Sequence, residues 1–128
     1  MPNWTSIALT KAPPPKGPYS PAVRAGGFVY VSGQTPRDPI TGELVGIDLA
    51  TQTRQVLSNV QAMLAEAGAA MSDVISVTVY LQDVDDWAAM NIVYKDFFTA
   101  PFPSRTAVGA DLRDILVEIS AIAFIGVP

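Results

Sequence analysis

An α+β fold, with one sheet backed on a single side by two helices, is predicted by three features of the sequence. Between residues 48 and 68, Leu49, Val56, Leu57, Val60, Met63, Leu64 and Ala67 recur at helical spacing and make one long amphipathic helix. Residues 73–81 and 115–125 alternate in the manner of strands. A second apolar stripe, Trp87, Met90, Tyr94, Phe97 and Phe98, marks another helix from about residue 85 to residue 98.

Taken in order, residues 4–9 suit a short edge strand. The following segment, residues 11–21, holds five of the eleven prolines and can neither donate ladder hydrogen bonds nor enter a helix. It is a stiff extended loop whose only aromatic is Tyr19. That ring either packs over the loop's own prolines, the reading the residues favour, or sits with its hydroxyl at a pocket mouth. Residues 28–34 read as a strand. Gly33 within it suggests a bulge or a close backbone approach. Asp38-Pro39-Ile40-Thr41-Gly42 reads as a turn into a short strand at residues 43–45. Asp48 suits the N-cap of the long helix and Gly68 its C′ position. The strand at 73–81 has the β-branched content of a core strand, and strand, helix and strand make a βαβ-like or split βαβ unit. Asn91 falls on the stripe of the second helix, four residues after Trp87 and three before Tyr94. An amide there needs partners; a structural tie to a loop and a ligand contact both fit. Pro101 and Pro103 end that helix. The order is strand, strand, strand, helix, strand, helix, strand, strand, within a single domain spanning residues 1–128. Helices on one side leave the other sheet face uncovered, which calls for a partner subunit.

Composition removes several chemistries. The chain has no cysteine and no histidine, so it lacks a thiol nucleophile, the commonest general base and the commonest metal ligand. Neither a metal nor a cofactor is expected. The net charge is −4, with 8 basic residues scattered among 12 acidic ones, and no basic patch marks a nucleic-acid partner. The N-terminus has no signal-peptide pattern, and no apolar stretch reaches the ~20 residues that span a bilayer. A soluble cytoplasmic protein without a membrane partner is expected. Only 16% of residues are charged and 49% are hydrophobic, in keeping with surface hidden in an oligomer.

The last third carries the candidate chemistry. In the run at 115–125, Ile115, Val117, Ile119, Ala121, Ala123 and Ile125 share one face, and Leu116, Glu118, Ser120, Ile122 and Phe124 the other. Glu118 is a lone carboxylate on a largely apolar surface, where it must be paired, hydrogen-bonded or raised in pKa. Arg105 is the other conspicuous charge nearby. If their segments pair as an antiparallel hairpin, the two side chains flank one pocket.

Five stretches carry a resemblance: Gly17-Pro18-Tyr19-Ser20-Pro21-Ala22-Val23, Val31-Ser32-Gly33-Gln34, Met90-Asn91-Ile92-Val93-Tyr94, Pro103-Ser104-Arg105-Thr106-Ala107-Val108 and Val117-Glu118-Ile119. In this order they resemble the motifs of the Rid family of reactive-intermediate (enamine/imine) deaminases, also called the YjgF family. The resemblance implies a chorismate-mutase-like α+β subunit with a mixed sheet, closing into a homotrimer with clefts at the subunit interfaces. It implies that Arg105 holds a substrate carboxylate in a fork, that Glu118 orients or activates the attacking water, and that Tyr19, Gly33 and Asn91 line the pocket, Tyr19 facing Arg105 across a subunit boundary. The small-molecule substrate is then a 2-aminoacrylate-like enamine, hydrolysed through its imine to a 2-keto acid and ammonia without a cofactor, as by a 2-iminobutanoate/2-iminopropanoate deaminase.

Two positions depart from the family pattern. Ala107 stands where the best-known branch often has cysteine; a contact through its backbone N–H survives, whereas thiol regulation does not. Arg105 and Glu118 are 118 − 105 = 13 positions apart, and Leu112-Arg113 replaces the usual Leu-Pro in a shorter connection, which opens the substrate range to an aminomuconate-type or other catabolic enamine. A non-catalytic, regulatory binder of small carboxylic or 2-keto acids is the alternative class. Low basic charge and absent histidine argue against a ribonuclease. A structural Arg105–Glu118 ion pair is the remaining possibility.

Overall fold

A computed structural model describes residues 2–126. Six strands, β1 (Thr5–Ile7), β2 (Ala22–Ala25), β3 (Phe28–Gln34), β4 (Val74–Leu81), β5 (Ser104–Gly109) and β6 (Val117–Phe124), form one sheet in the order β1-β2-β3-β6-β4-β5. The helices are α1 (Leu49–Glu66) and α2 (Trp87–Tyr94). Neighbouring strands are antiparallel except β4 and β5, which run parallel, so the sheet is mixed. β3 and β4 both run antiparallel to β6, which lies between them. With α1 as the crossover they make a split βαβ unit, and β4, α2 and β5 make a contiguous one.

Local chemistry sets the bounds of α1. Asp48 accepts a hydrogen bond from Thr51 N–H at 3.0 Å. At the other end Gly68 takes a φ of 86°, while Gly68 N–H donates to Ala65 O and Ala69 N–H to Leu64 O. This pair of bonds is a Schellman motif, which needs the left-handed residue that glycine supplies without strain. The apolar stripe of α1 lies over β6 and β3, where Val56, Leu57, Val60 and Leu64 are buried with Val29, Val79, Val117 and Ile119.

Two polar side chains of α1 are buried to anchor loops. Gln52 donates to Gly46 O at 3.1 Å and accepts from Leu116 N–H at 2.8 Å. Asn59 donates to Thr35 O and Arg37 O at 3.0 and 2.8 Å. The opposite sheet face carries Phe28, Tyr30 and Phe124, half-exposed and in contact, with ring centroids 5.0 Å apart for Phe28 and Phe124. Among the described residues no helix is long and apolar enough to cross a membrane.

Several expectations are corrected. Residues 43–45 form only a single bridge, Leu44 to Arg37, because Gly42 and Gly46 flank them at φ 76° and 81° and turn the chain. The third strand is instead β2, joined to β3 by the two-residue turn Gly26-Gly27. β1 and β6 are shorter than the runs at 4–9 and 115–125. The second helix stops at Tyr94 and gives way to tighter turns through Phe98, where Asp96 N–H bonds Val93 O and Phe97 N–H bonds Tyr94 O. The expected hairpin of the Arg105 and Glu118 segments does not form. β5 pairs with β4, and β4 separates it from β6.

Candidate carboxylate-binding site

Arg105 lies on the edge strand β5, in register with Val77, whose side chain is buried on the helix side of the sheet. Residues paired across a ladder share a face, so the arginine points toward α2. Its Nη1 donates to Asn91 Oδ1 at 2.7 Å, and its guanidinium carbon lies 4.8 Å from the centroid of the Tyr94 ring and 5.8 Å from that of Trp87. Trp87, Asn91 and Tyr94 fall at positions i, i+4 and i+7 of one helix face. Among the described residues the ion pairs are Arg37–Asp114 and Arg54–Asp96, and Arg105 is in neither. The guanidinium opens into a cleft of about 510 Å³ walled by Ile92, Phe102 and Pro103, with Lys95 at its border. Burial pushes the Tyr94 phenol up in pKa, and the Arg105 charge partly opposes this. Its hydroxyl is buried without a hydrogen-bond partner. Ala107, paired with Val79, follows on the same face as Arg105.

Glu118 is in register with Tyr80, on the face away from the helices. The β3–β6 ladder shifts register between Val31 and Gln34, and this bulge brings Gly33 against the carboxylate. A Cβ at residue 33 would overlap Glu118 Oε2, so the carboxylate keeps this position only beside a glycine. Burial raises the Glu118 pKa. Tyr19, itself 59% exposed, borders a cleft of about 200 Å³ with Pro13, Pro15, Pro21 and Gly33, so the ring stands at a cleft mouth lined by its own loop's prolines.

The predicted residues therefore gather in two groups. Arg105, Asn91 and Ala107 sit on the helix side at the β5 edge; Gly33 meets the Glu118 carboxylate on the other face and also borders the cleft at Tyr19, which Glu118 does not line. Within one chain Arg105 and Glu118 make no ion pair, because they face opposite sides of the sheet. Asn91 ties to Arg105 rather than to a loop. Trp87 and Tyr94 enter the site as walls, although their periodicity marks them only as core; their spacing from Asn91 is the signal that finds them. Side chains outside the connection between β5 and β6 pin it at three points, Leu112 N–H to Gln82 Oε1 at 2.6 Å, the Arg37–Asp114 ion pair at 2.6 Å, and Leu116 N–H to Gln52, beside backbone bonds at Ala110 and Leu116. Arg113 within it has a φ of 68°, which proline's ring cannot adopt. No group of three or more His, Cys, Asp or Glu able to hold a metal forms among the described residues.

The fold is that of an α+β protein with a mixed sheet and both helices on one face, and the family described as endoribonuclease L-PSP matches residues 9–125. A RutC family protein of Pyrococcus abyssi is 49% identical over 120 residues, covering 92% of this chain and 94% of that protein. The 2-iminobutanoate/2-iminopropanoate deaminase of Escherichia coli (strain K12) is 42% identical over 123 residues, covering 92% of this chain and 95% of that protein. Among solved structures, E. coli TdcF with bound serine is similar with a TM-score of 0.87 at 38% identity, covering 95% of this chain and 99% of that one. The chain belongs to the Rid/YjgF family and has its chorismate-mutase-like subunit fold.

Proposed function

We propose that this protein is an enamine/imine deaminase that hydrolyses 2-aminoacrylate-like intermediates to 2-keto acids and ammonia, working as a homotrimer in the cytoplasm. The observation that carries the proposal is Arg105, a guanidinium held by an amide and two rings with no carboxylate partner among the described residues. Such a group recognises a planar carboxylate in a fork. The deaminase name of the E. coli relative supports the same reaction.

The chemistry asks little of the protein. The enamine tautomerises to an imine, whose carbon accepts water. Glu118 takes a proton from that water as the C–O bond forms and the C=N π electrons move to nitrogen. This proton passes on to the nitrogen, and the new hydroxyl's own proton follows as its C=O forms and the C–N bond breaks, leaving a ketone, ammonia and an ionised Glu118. Burial raises the Glu118 pKa, which makes its carboxylate a stronger base than an exposed one. Tyr19, Gly33, Asn91 and the backbone of Ala107 complete the pocket. Arg105 and Glu118 face opposite sides of one sheet, so we assign them to a site between copies, and the exposed Phe28, Tyr30 and Phe124 patch supports assembly.

The test is release of ammonia and 2-keto acid from enzymatically generated 2-aminoacrylate and a longer aliphatic enamine, with Arg105→Ala as control. Acceleration that vanishes in the variant supports the proposal; no acceleration by the folded protein rejects these substrates. A second function, binding small amino or keto acids without turnover, is favoured by the bound serine of TdcF. Binding of 2-oxobutanoate without ammonia release would select it. The cleft of about 510 Å³ also leaves room for a larger conjugated enamine such as an aminomuconate.

A further inference from the structure

We infer that Trp87 and Tyr94 are positioning residues which, with Asn91, form a charge-neutral cradle that orients the Arg105 guanidinium without cancelling its charge. The inference rests on the proposed carboxylate-binding role of Arg105 and adds the means by which that role is prepared.

Three side chains of α2 meet the arginine, and none is acidic. The rings of Trp87 and Tyr94 lie 5.8 and 4.8 Å from the guanidinium carbon, and Asn91 Oδ1 takes one Nη1–H at 2.7 Å. A ring contacts the π face of a guanidinium, whereas its N–H donors point outward in the plane. The ring contacts restrain the group while Asn91 engages one N–H, so the remaining donors have no partner among the described residues at the cleft that Arg105 lines. An aspartate at position 91 would restrain it equally well and neutralise it. The amide does the first without the second.

Trp87 is 48% exposed, so burial of its indole does not account for its place beside Arg105. Tyr94 belongs to the core and stacks on Phe98 with ring centroids 4.5 Å apart, and the same ring lies 4.8 Å from the guanidinium carbon, so its aromatic body serves both contacts. Its hydroxyl makes no hydrogen bond among the described residues, so the ring is the part that meets the arginine.

The experiment compares wild type with Trp87→Leu, Trp87→Phe, Tyr94→Leu, Tyr94→Phe and Asn91→Asp. ¹⁵N-edited spectra of the Arg105 side chain, assigned by Arg105→Lys, read the cradle without reference to turnover. Ring-current shifts are expected in wild type, reduced in Trp87→Leu. Calorimetric titration with 2-oxobutanoate and steady-state ammonia release read its consequence. In Trp87→Leu and Tyr94→Leu, Kd and KM rise by about two- to thirtyfold while kcat holds, the range a cation–π contact supplies. The phenylalanine variants stay within about threefold of wild type. Asn91→Asp weakens 2-oxobutanoate at least about tenfold while the Arg105 side chain keeps its ring-current shifts. Unshifted Arg105 resonances that ignore Trp87→Leu overturn the inference, as does a loss confined to kcat and thermal stability. If wild type neither binds 2-oxobutanoate nor releases ammonia, the deaminase proposal fails on its own, and the spectra alone decide the cradle.

Discussion

Arg105 and Glu118 occupy opposite faces of the same sheet. Arg105 pairs with Val77 on the side packed against the helices, and Glu118 pairs with Tyr80 on the side that is not. A carboxylate gripped by the arginine beside α2 is out of reach of the glutamate of its own chain. Chemistry that uses both must draw them from two copies.

Mixing tests this arrangement directly. Arg105→Ala and Glu118→Gln chains, each inactive alone, are unfolded, combined in equal amounts and refolded. Sites that take the arginine from one copy and the glutamate from the next are intact in about a quarter of cases, so about a quarter of wild-type activity returns. Activity no higher than either variant alone would place both groups in one subunit.

Gly33→Ala separates activity from stability. The added methyl meets the Glu118 carboxylate and displaces it, and kcat falls by at least about tenfold. The residue does not have a positive φ, and alanine loses less backbone freedom than glycine on folding, so the melting temperature changes by only a few degrees. Calorimetry beside turnover measures both; unchanged turnover would detach Gly33 from the catalytic carboxylate.

Glu118 links function and stability to pH. Burial raises its folded pKa above its unfolded value, so between the two the folded state holds more protons and stability falls as pH rises. The loss begins near the ordinary glutamate pKa and ends above the raised one. Urea midpoints of Glu118→Gln and wild type agree in acid and diverge in favour of the variant through this window. kcat/KM of wild type rises through the same window as the carboxylate ionises. A stability difference that stays flat from about pH 4 to pH 8 would remove the burial effect.

Gln52 is a structural anchor near the site. Gln52→Leu leaves Gly46 O and Leu116 N–H without their partner in a buried setting. The expected cost is about 2–4 kcal/mol, read from urea unfolding. A cost under about 0.5 kcal/mol would mean that the loops find other partners.

The parts of the fold legible in the sequence are those set by neighbouring residues. Asp48 and Gly68 bound α1 through hydrogen bonds within a few residues, and the alternation of β6 predicts its buried Val117, Ile119, Ala121 and Ala123. Strand pairing is not local. β5 and β6 are consecutive, which suggests a hairpin, yet the α2 crossover returns β5 parallel to β4, and β6 fills the gap between β3 and β4. Ala22–Ala25 has weak strand character and becomes β2 through its partners β1 and β3. The contact of Arg105 with Asn91 joins residues 14 positions apart on different elements, and no periodicity marks it. The cradle role of Trp87 and Tyr94 is masked because a helix face that packs and one that grips a cation look alike in apolar periodicity.

Arg113 changes what a single substitution in this loop can do. Arg113→Pro exchanges one side chain on paper. With φ at 68° the position cannot hold a proline on the present backbone, so the exchange would have to remake the loop. Transplanting a proline-bearing connection therefore requires moving the whole segment together with its footholds on Gln82, Arg37 and Gln52. The unit of inheritance at this border of the sheet is the loop and its three sockets, not the residue.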